Sequence, residues 1–363
     1  MGRAKRNTNG PVRPDIHAVA RLARVSIATV SRTINNVTTV DPRLAQRVRK
    51  AIDELGYSPN TQARALVSGR SRLLGLIISE ITNPFFPELI QGFEDVAVEN
   101  GYEILIGSTN YEPQRMELCI QRMLERKVDG VAVMTFGIEA PLLDRLADRN
   151  IPLVFVDVSP RGALFSTIEV DYFHGIREGV QHLAVLGHRR IGFISGPLHL
   201  HSARARKAAF LRAMNEVGLT SDPGWLLEGD HTLEGGISVM GQILASGDSP
   251  SAIMASNDMT AIGVLHALHR AGARVPDDFS VIGFDDVNFA RFTLPPLTSV
   301  QMSRRELAKC AVLALRDHLE PHARSIGPCY KVQTRLTVRQ STGLAHYEQT
   351  VSRGPQTPHP GRK

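Results

Sequence analysis

Apolar positions follow three regimes along the chain. From residue 14 to 57 they keep a helical period. Ile16, Val19, Ala20 and Ala23 recur at i, i+3, i+4 and i+7, one face of a helix. Ser26 stands as an N-cap before Ile27–Ile34, where Val30 and Ile34 lie one turn apart. Asp41-Pro42 joins a capping carboxylate to proline at the first helical position. Leu44, Val48, Ala51, Ile52 and Leu55 form the stripe that follows, and Gly56 stops it. Three helices in so short a span bury little, so the module suits a role in which it docks on something larger.

Residues 58–72 are short, polar and basic. Gln62 to Val67 holds good helix formers with Asn60 or Thr61 available as cap. Two turns do not persist unaided in water, so this is either a linker or a helix that forms on binding. From Leu73 to about Gly343 strand and helix patterns alternate. Leu73–Ile78 is a continuous apolar run, as in a buried parallel strand. Leu89, Ile90, Phe93, Val96 and Ala97 form the next helical stripe, closed by Asn100-Gly101. Tyr102–Gly107, Gly130–Met134 and Ile151–Val156 read as further strands with helices between. The rhythm restarts near Ser166 and continues through Ile191–Ser195, Trp225–Glu228, Ala252–Ala255 and Ser280–Phe284. The expected fold is α/β: two doubly wound parallel-sheet subdomains behind a small all-α head. A cleft is expected at the carboxyl ends of their strands. Residues 344–363 carry no apolar stripe and read as a disordered tail.

Charge divides the same way. Residues 1–72 hold 14 Lys and Arg against 4 Asp and Glu, and the rest hold 28 against 32. A head at +10 on a body at −4 points to a polyanionic partner for the head, most simply nucleic acid. No run approaches the ~20 apolar residues of a membrane span, and Met1 to Pro14 lacks an apolar signal core. Cys119, Cys310 and Cys329 match neither a disulfide framework nor a metal spacing, so a reducing cytoplasm is the expected setting.

Phosphate-loop, dinucleotide, nucleophile-elbow and H-E-x-x-H signatures are all missing from the chain, which argues against an enzyme. His199-Leu200-His201 has no third metal ligand at a telling spacing, and no cofactor is expected. Asp285-Asp286 at a strand's carboxyl end suits either acid–base work or ligand hydrogen bonds. The head is more informative. Helix, tight turn and helix over Ile16–Ile34 have the spacing of a helix-turn-helix, whose second helix enters the major groove. Ser26 and Thr29 near its N-terminus suit phosphates. Ile27, Ala28 and Arg32 lie away from Val30 and Ile34, and an arginine there reads guanine edges bidentately.

These residues carry a resemblance to the lactose-repressor/galactose-repressor family over about residues 15–343. Its stretches are Val25-Ser26-Ile27-Ala28-Thr29-Val30-Ser31-Arg32, Leu55-Gly56-Tyr57-Ser58-Pro59-Asn60 and Thr82-Asn83-Pro84-Phe85-Phe86. Further along come Leu186-Gly187-His188-Arg189-Arg190-Ile191, Asn257-Asp258, Ile282-Gly283-Phe284-Asp285-Asp286 and Pro295-Pro296-Leu297-Thr298. The resemblance implies a homodimer on near-palindromic double-stranded operator DNA, controlled by a small-molecule effector. It implies a helix-turn-helix domain at 14–59, a hinge at 60–72 and an effector-binding, dimerising core at 73–343. Within that core it implies one subdomain over 73–171 plus 302–328 and another over 172–301 plus 329–343. Ile27, Ala28 and Arg32 match base-reading positions, and Ser26, Thr29 and Asn35 match phosphate-contacting ones. Ala63 and Leu66 match the hinge residues at the minor groove, where an apolar wedge kinks the duplex. Phe85, Phe86, Asp171, Arg206, His231, Asn257 and Asp285 fall on positions that line the effector pocket.

Some residues depart from the pattern. Arg24 stands at the usual turn glycine, where a positive φ costs about 1 kcal/mol. Leu200 and His231 do not match the polar and aromatic pair of purine-binding members. Carboxylates and an amide around an aromatic face suit a carbohydrate effector. If His199, His201 and His231 line the mouth they favour an acidic or phosphorylated sugar, and otherwise they are exposed loop residues. A sugar-binding transport protein would share the core fold but lack the DNA-binding head.

Overall fold

The computed structural model describes residues 14–34, 39–58, 69–135, 148–157, 165–319 and 329–345. Asn35, the hinge residues Ala63 and Leu66, the helix expected between Met134 and Ile151, and nearly all of the 344–363 tail lie outside these. The described chain forms two compact units, Met1–Ser71 and Arg72–Lys363. No helix among the described residues is long and apolar enough to cross a membrane.

The first unit holds α1 (Ile16–Ala23), α2 (Ile27–Ile34) and α3 (Pro42–Leu55). Val19, Ala20, Ala23, Val30, Val48 and Ala51 form its core. Side chains cap each helix start. Asp15 Oδ1 accepts from Ala18 N at 2.8 Å, Ser26 Oγ from Thr29 N at 3.1 Å, and Asp41 Oδ1 from Arg43 N at 2.8 Å. Each bond satisfies an amide that the first helical turn leaves unpaired. α1 ends at Arg24, which adopts the left-handed conformation with φ 51° and ψ 51°.

The second unit contains two six-stranded sheets. The first runs β11 (Cys329–Gln333), β5 (Phe165–Asp171), β4 (Leu153–Val156), β3 (Gly130–Met134), β1 (Leu73–Ile78), β2 (Glu103–Ser108), all parallel. The second runs β12 (Arg335–Thr337), β10 (Thr298–Gln301), β9 (Ser280–Asp285), β8 (Ala252–Ala255), β6 (Ile191–Ser195), β7 (Leu226–Glu228). It is parallel except for β12, which pairs antiparallel with β10. Crossover helices cover the faces: α4 (Phe85–Glu99) and α5 (Pro113–Glu125) in the first subdomain, with α10 (Arg304–Leu319) beside them. In the second they are α6 (Tyr172–Val185), α7 (His201–Glu216), α8 (Leu233–Ala245) and α9 (Asp258–Arg270). Helices on both sides explain why the central strands β3, β4, β6, β8 and β9 are buried at every position.

The chain passes between the sheets three times, after Asp171, after Gln301 and at Thr334. This corrects the expected division at residue 329. Residues 329–333 pair with β5 in the first sheet, register Cys329 to Thr167, and only β12 onward belongs to the second. No local pattern carries this assignment, which rests on pairing with a strand more than 150 residues away. A smaller difference concerns Trp225, which sits in a 3-10 turn rather than in β7.

Candidate functional sites in the head and the core cleft

On α2 the residues opposite the core are the expected ones. Val30 and Thr33 are buried, whereas Ile27, Ala28 and Arg32 are exposed. Ile27 leaves 42% of its surface in solvent. The Ser26 and Thr29 hydroxyls lie 2.9 Å apart at the helix start, where amides and the helix dipole favour an anion.

In the core, Asn83, Phe85, Phe86, Tyr111, Ser202, Arg206, His231, Asn257, Asp285 and Met302 converge on one cavity between the sheets. It is nearly closed: about 30 Å³ of it is free, room for about one water and far below the range for ligand pockets, so a ligand has to part the two subdomains to enter. Its lining comes from strand ends and helix starts of both subdomains, the usual ligand position in open α/β sheets. Phe85 and Phe86 begin α4 and pack edge to face, ring centroids 5.4 Å apart. Asn257 caps α9, accepting from Thr260 N at 2.9 Å, and its amide donates to the His231 carbonyl at 2.9 Å.

Arg206 is the charged centre. Its guanidinium lies 4.0 Å from the Phe284 ring centroid and 5.2 Å from that of Tyr172. Nη1 donates to Ser256 O at 2.5 Å and Nη2 reaches Asp285 Oδ1 at 3.5 Å, while Nε is buried without a partner. Asp285 is only 5% exposed. Burial pushes its carboxyl up to about 6 even though Arg206 and Arg304 pull it down. His231 sits against Gly196, where any side chain would collide with the imidazole. Its Nε2 lies 2.7 Å from Ser256 Oγ. Burial, and then Arg206, hold its pKa down to about 3, so the ring is neutral at physiological pH. Tyr111 is raised to about 12 by burial and then by Glu80. Arg206 and Asp285 are therefore the charged members of the lining.

A second polar group joins the subdomains beside this cavity. Glu88 of α4 accepts from the Asn288 amide at 2.9 Å and from Arg304 Nη2 at 2.7 Å. Arg304 also donates to the carbonyls of Asp285 and Asp286, the latter at 2.8 Å. Residues of α4 and α10 thus grip the loop that follows β9. A wider groove between α4 and α10 is lined by residues such as Glu94, Glu99, Lys309 and Arg316, and the effector candidates do not face it.

Asp171 corrects the expected set. It is exposed at the start of α6, where its Oδ1 accepts from His174 N at 3.0 Å, and it does not face the cavity. Asp157 lies nearer the centre. Its carboxylate accepts from Tyr172 OH at 2.5 Å, and Tyr172 in turn underlies Arg206. His199 and His201 are exposed and outside the cavity, so of the three histidines only His231 lines it. Sequence reasoning missed Asn83, Tyr111, Ser202 and Met302. The signal for Tyr111 was present, since it follows directly on the carboxyl end of β2. No metal-binding cluster of His, Cys, Asp or Glu occurs among the described residues.

Together, a helix-turn-helix head and a two-lobed core with a polar cleft define a ligand-responsive DNA-binding protein. Comparison with known proteins agrees. Residues 15–60 match the family model of bacterial regulatory proteins, lacI family, and residues 180–342 match a periplasmic binding protein-like domain. The HTH-type transcriptional repressor PurR of Photobacterium profundum is 33% identical over 90% of this chain and 98% of its own length. The ribose operon repressor of Escherichia coli is 35% identical over 81% of this chain and 89% of its own. The solved lac repressor dimer bound to operator and the anti-inducer ONPF superposes with a TM-score of 0.80. It shows 27% identity over 91% of this chain and 99% of that one. The chain belongs to the lacI family: it is a DNA-binding transcriptional repressor with an effector-binding domain, and not an enzyme.

Proposed function

We propose that this repressor binds a near-palindromic operator as a homodimer and answers to a small, uncharged sugar held in the cleft. The observation that carries the effector class is the buried Arg206–Asp285 pair facing Phe85 and Phe86. Opposite charges in one lining leave no net charge for an ion to neutralise. The pair instead offers a donor and an acceptor to adjacent hydroxyls, while aromatic surface packs the apolar side of a sugar ring. The neutral His231 supports this reading over a phosphorylated sugar, because a phosphate would enter beside Asp285 with Arg206 as its only cation. Asn257 and Tyr111 supply further polar contacts.

On DNA, Ile27, Ala28 and Arg32 read bases, and Ser26, Thr29 and Asn35 hold phosphates. Ala63 and Leu66 of the hinge enter the minor groove. A dimer suits this because one small head makes too few contacts for a specific site. The test has two arms. Titration calorimetry of the full chain is run with D-ribose, D-galactose, D-ribose 5-phosphate and hypoxanthine, and a neutral sugar is expected to bind tightest. Preferred binding of the phosphate or the nucleobase overturns the sugar reading. Selection from a random duplex pool is expected to return two-fold sites, and Arg32→Ala to lose preference at one base pair per half-site. Recovery of asymmetric single sites refutes the dimer.

A further inference from the structure

Arg24 closes α1 in the left-handed conformation that commonly ends a helix, a position that glycine usually fills. Its φ of 51° lies in the left-handed region, which glycine enters freely and other residues enter at a cost. Neighbouring groups hold it there. The Arg24 amide donates to Arg21 O at 3.2 Å, and Arg47 Nη2 donates to Ala23 O at 2.5 Å and Arg24 O at 3.2 Å. Arg47 therefore fixes the turn through carbonyls, a task that any residue at 24 permits. The side chain of Arg24 contributes none of these bonds. It is exposed, and its guanidinium has no acid or hydrogen-bond acceptor among the described residues. It lines a shallow groove together with Arg21, Ser26 and Ile27. Two guanidinium groups thus share a concavity with the first residues of α2, the helix that reads bases in the reading above.

We propose that Arg24 is a phosphate-contacting residue of the operator interface, and that arginine rather than glycine closes this turn because it adds a guanidinium beside α2. The proposal rests on the head being the DNA-binding surface and adds a contact that the helix-turn-helix pattern does not assign. A guanidinium suits phosphate by its planar fork of donors, and strain at a binding residue persists where the surroundings over-determine it.

The test compares wild type with Arg24→Gly, Arg24→Ala and Arg24→Lys, each as the full chain. The probe is a 30-base-pair duplex selected by the wild type from a random pool, titrated at 50–200 mM salt. Glycine and alanine are expected to lower the slope of log affinity against log salt by about 0.9 per head, hence about 1.8 for a dimer. Lysine is expected to restore most of the slope. Hydrogen exchange of the α1–α3 amides supplies a second readout. Arg24→Gly is expected to slow it about 5-fold by relieving strain of about 1 kcal/mol, so the variant that binds worst is the most stable. If Arg24→Gly binds as tightly as wild type with an unchanged slope, the residue serves the turn alone and the proposal is wrong. Equal behaviour of lysine and alanine also overturns it. A wild type that binds no duplex in the pool refutes the DNA-binding reading itself, and the proposal with it.

Discussion

Replacing Asp285 with asparagine should stabilise the free protein while destroying its response to effector. The carboxyl sits 5% exposed at the end of β9 and its pKa is raised from 3.8 to about 6. Burial is the leading cause and outweighs the attraction of Arg206 and Arg304. An acid whose folded pKa exceeds its unfolded value binds protons more tightly when folded. Stability therefore falls as pH rises between the two values, and the loss is complete above about 6. The gap corresponds to about 3 kcal/mol at pH 7. Asparagine keeps the shape of the neutral acid, so urea denaturation at pH 7 should show Asp285→Asn more stable by up to about 3 kcal/mol. The advantage should shrink steadily and vanish near pH 4, where the wild-type carboxyl is itself protonated. Calorimetry on the same samples should show effector binding lost, since an acceptor for ligand hydroxyls has become an amide. The reasoning fails if the variant is no more stable than wild type at pH 7, or if its advantage is the same at pH 4 and pH 7.

Two further outcomes are expected. Asp41→Ala removes the cap of α3 and should cost the head about 1 kcal/mol, read as faster amide exchange in α1–α3 with the core unchanged. Glu88→Ala and Arg304→Ala should each speed exchange at the Asn288 amide and weaken effector binding. Their double-mutant cycle should give a coupling of about 1–2 kcal/mol; additive effects would mean that the two side chains do not act as one contact.

Much of the fold was legible because its signals are local. The caps at Ser26 and Asp41 and the stop at Gly56 are set by residues within one turn, whereas the cap at Asp15 was not read. Doubly wound sheets announce themselves by apolar runs such as Leu73–Ile78, since burial on both faces removes polar alternation. What sequence pattern missed depends on tertiary geometry. Asp171 is used up as the cap of α6, whereas Asp157 accepts from Val170 N and from Tyr172 OH, beneath Arg206. The sheet membership of β11 rests on pairing with a strand more than 150 residues away. His231 reads as a charged candidate in sequence, yet burial and Arg206 make it neutral. That neutrality removes the support that the histidines would have lent to an acidic or phosphorylated sugar.

The strain in the core gathers at one place. Among the described residues ten non-glycine positions have positive φ, and three of them line the cleft, Tyr111, His231 and Asp285, with Asn110 and Asp286 their chain neighbours and Asp157 bonded to Tyr172. Each follows or ends a strand, where the chain must turn sharply to deliver a side chain inward. Such conformations cost about 1–3 kcal/mol each and survive only when neighbours hold them. At Asp285 and Asp286 the holders are visible. Arg304 binds both carbonyls, and Asp258 accepts from Val287 N at 2.8 Å. Arg304 and its partner Glu88 both belong to the first subdomain, so the bonds that steady the backbone of Asp285 and Asp286 are the ones that join the two lobes. A ligand that pulls on Asp285 therefore acts on the junction directly. It need not send a signal through the sheets. Closure can follow occupancy only by the difference in affinity between the joined and parted states, and on the proposed reading a ligand at Asp285 would draw that difference from this loop.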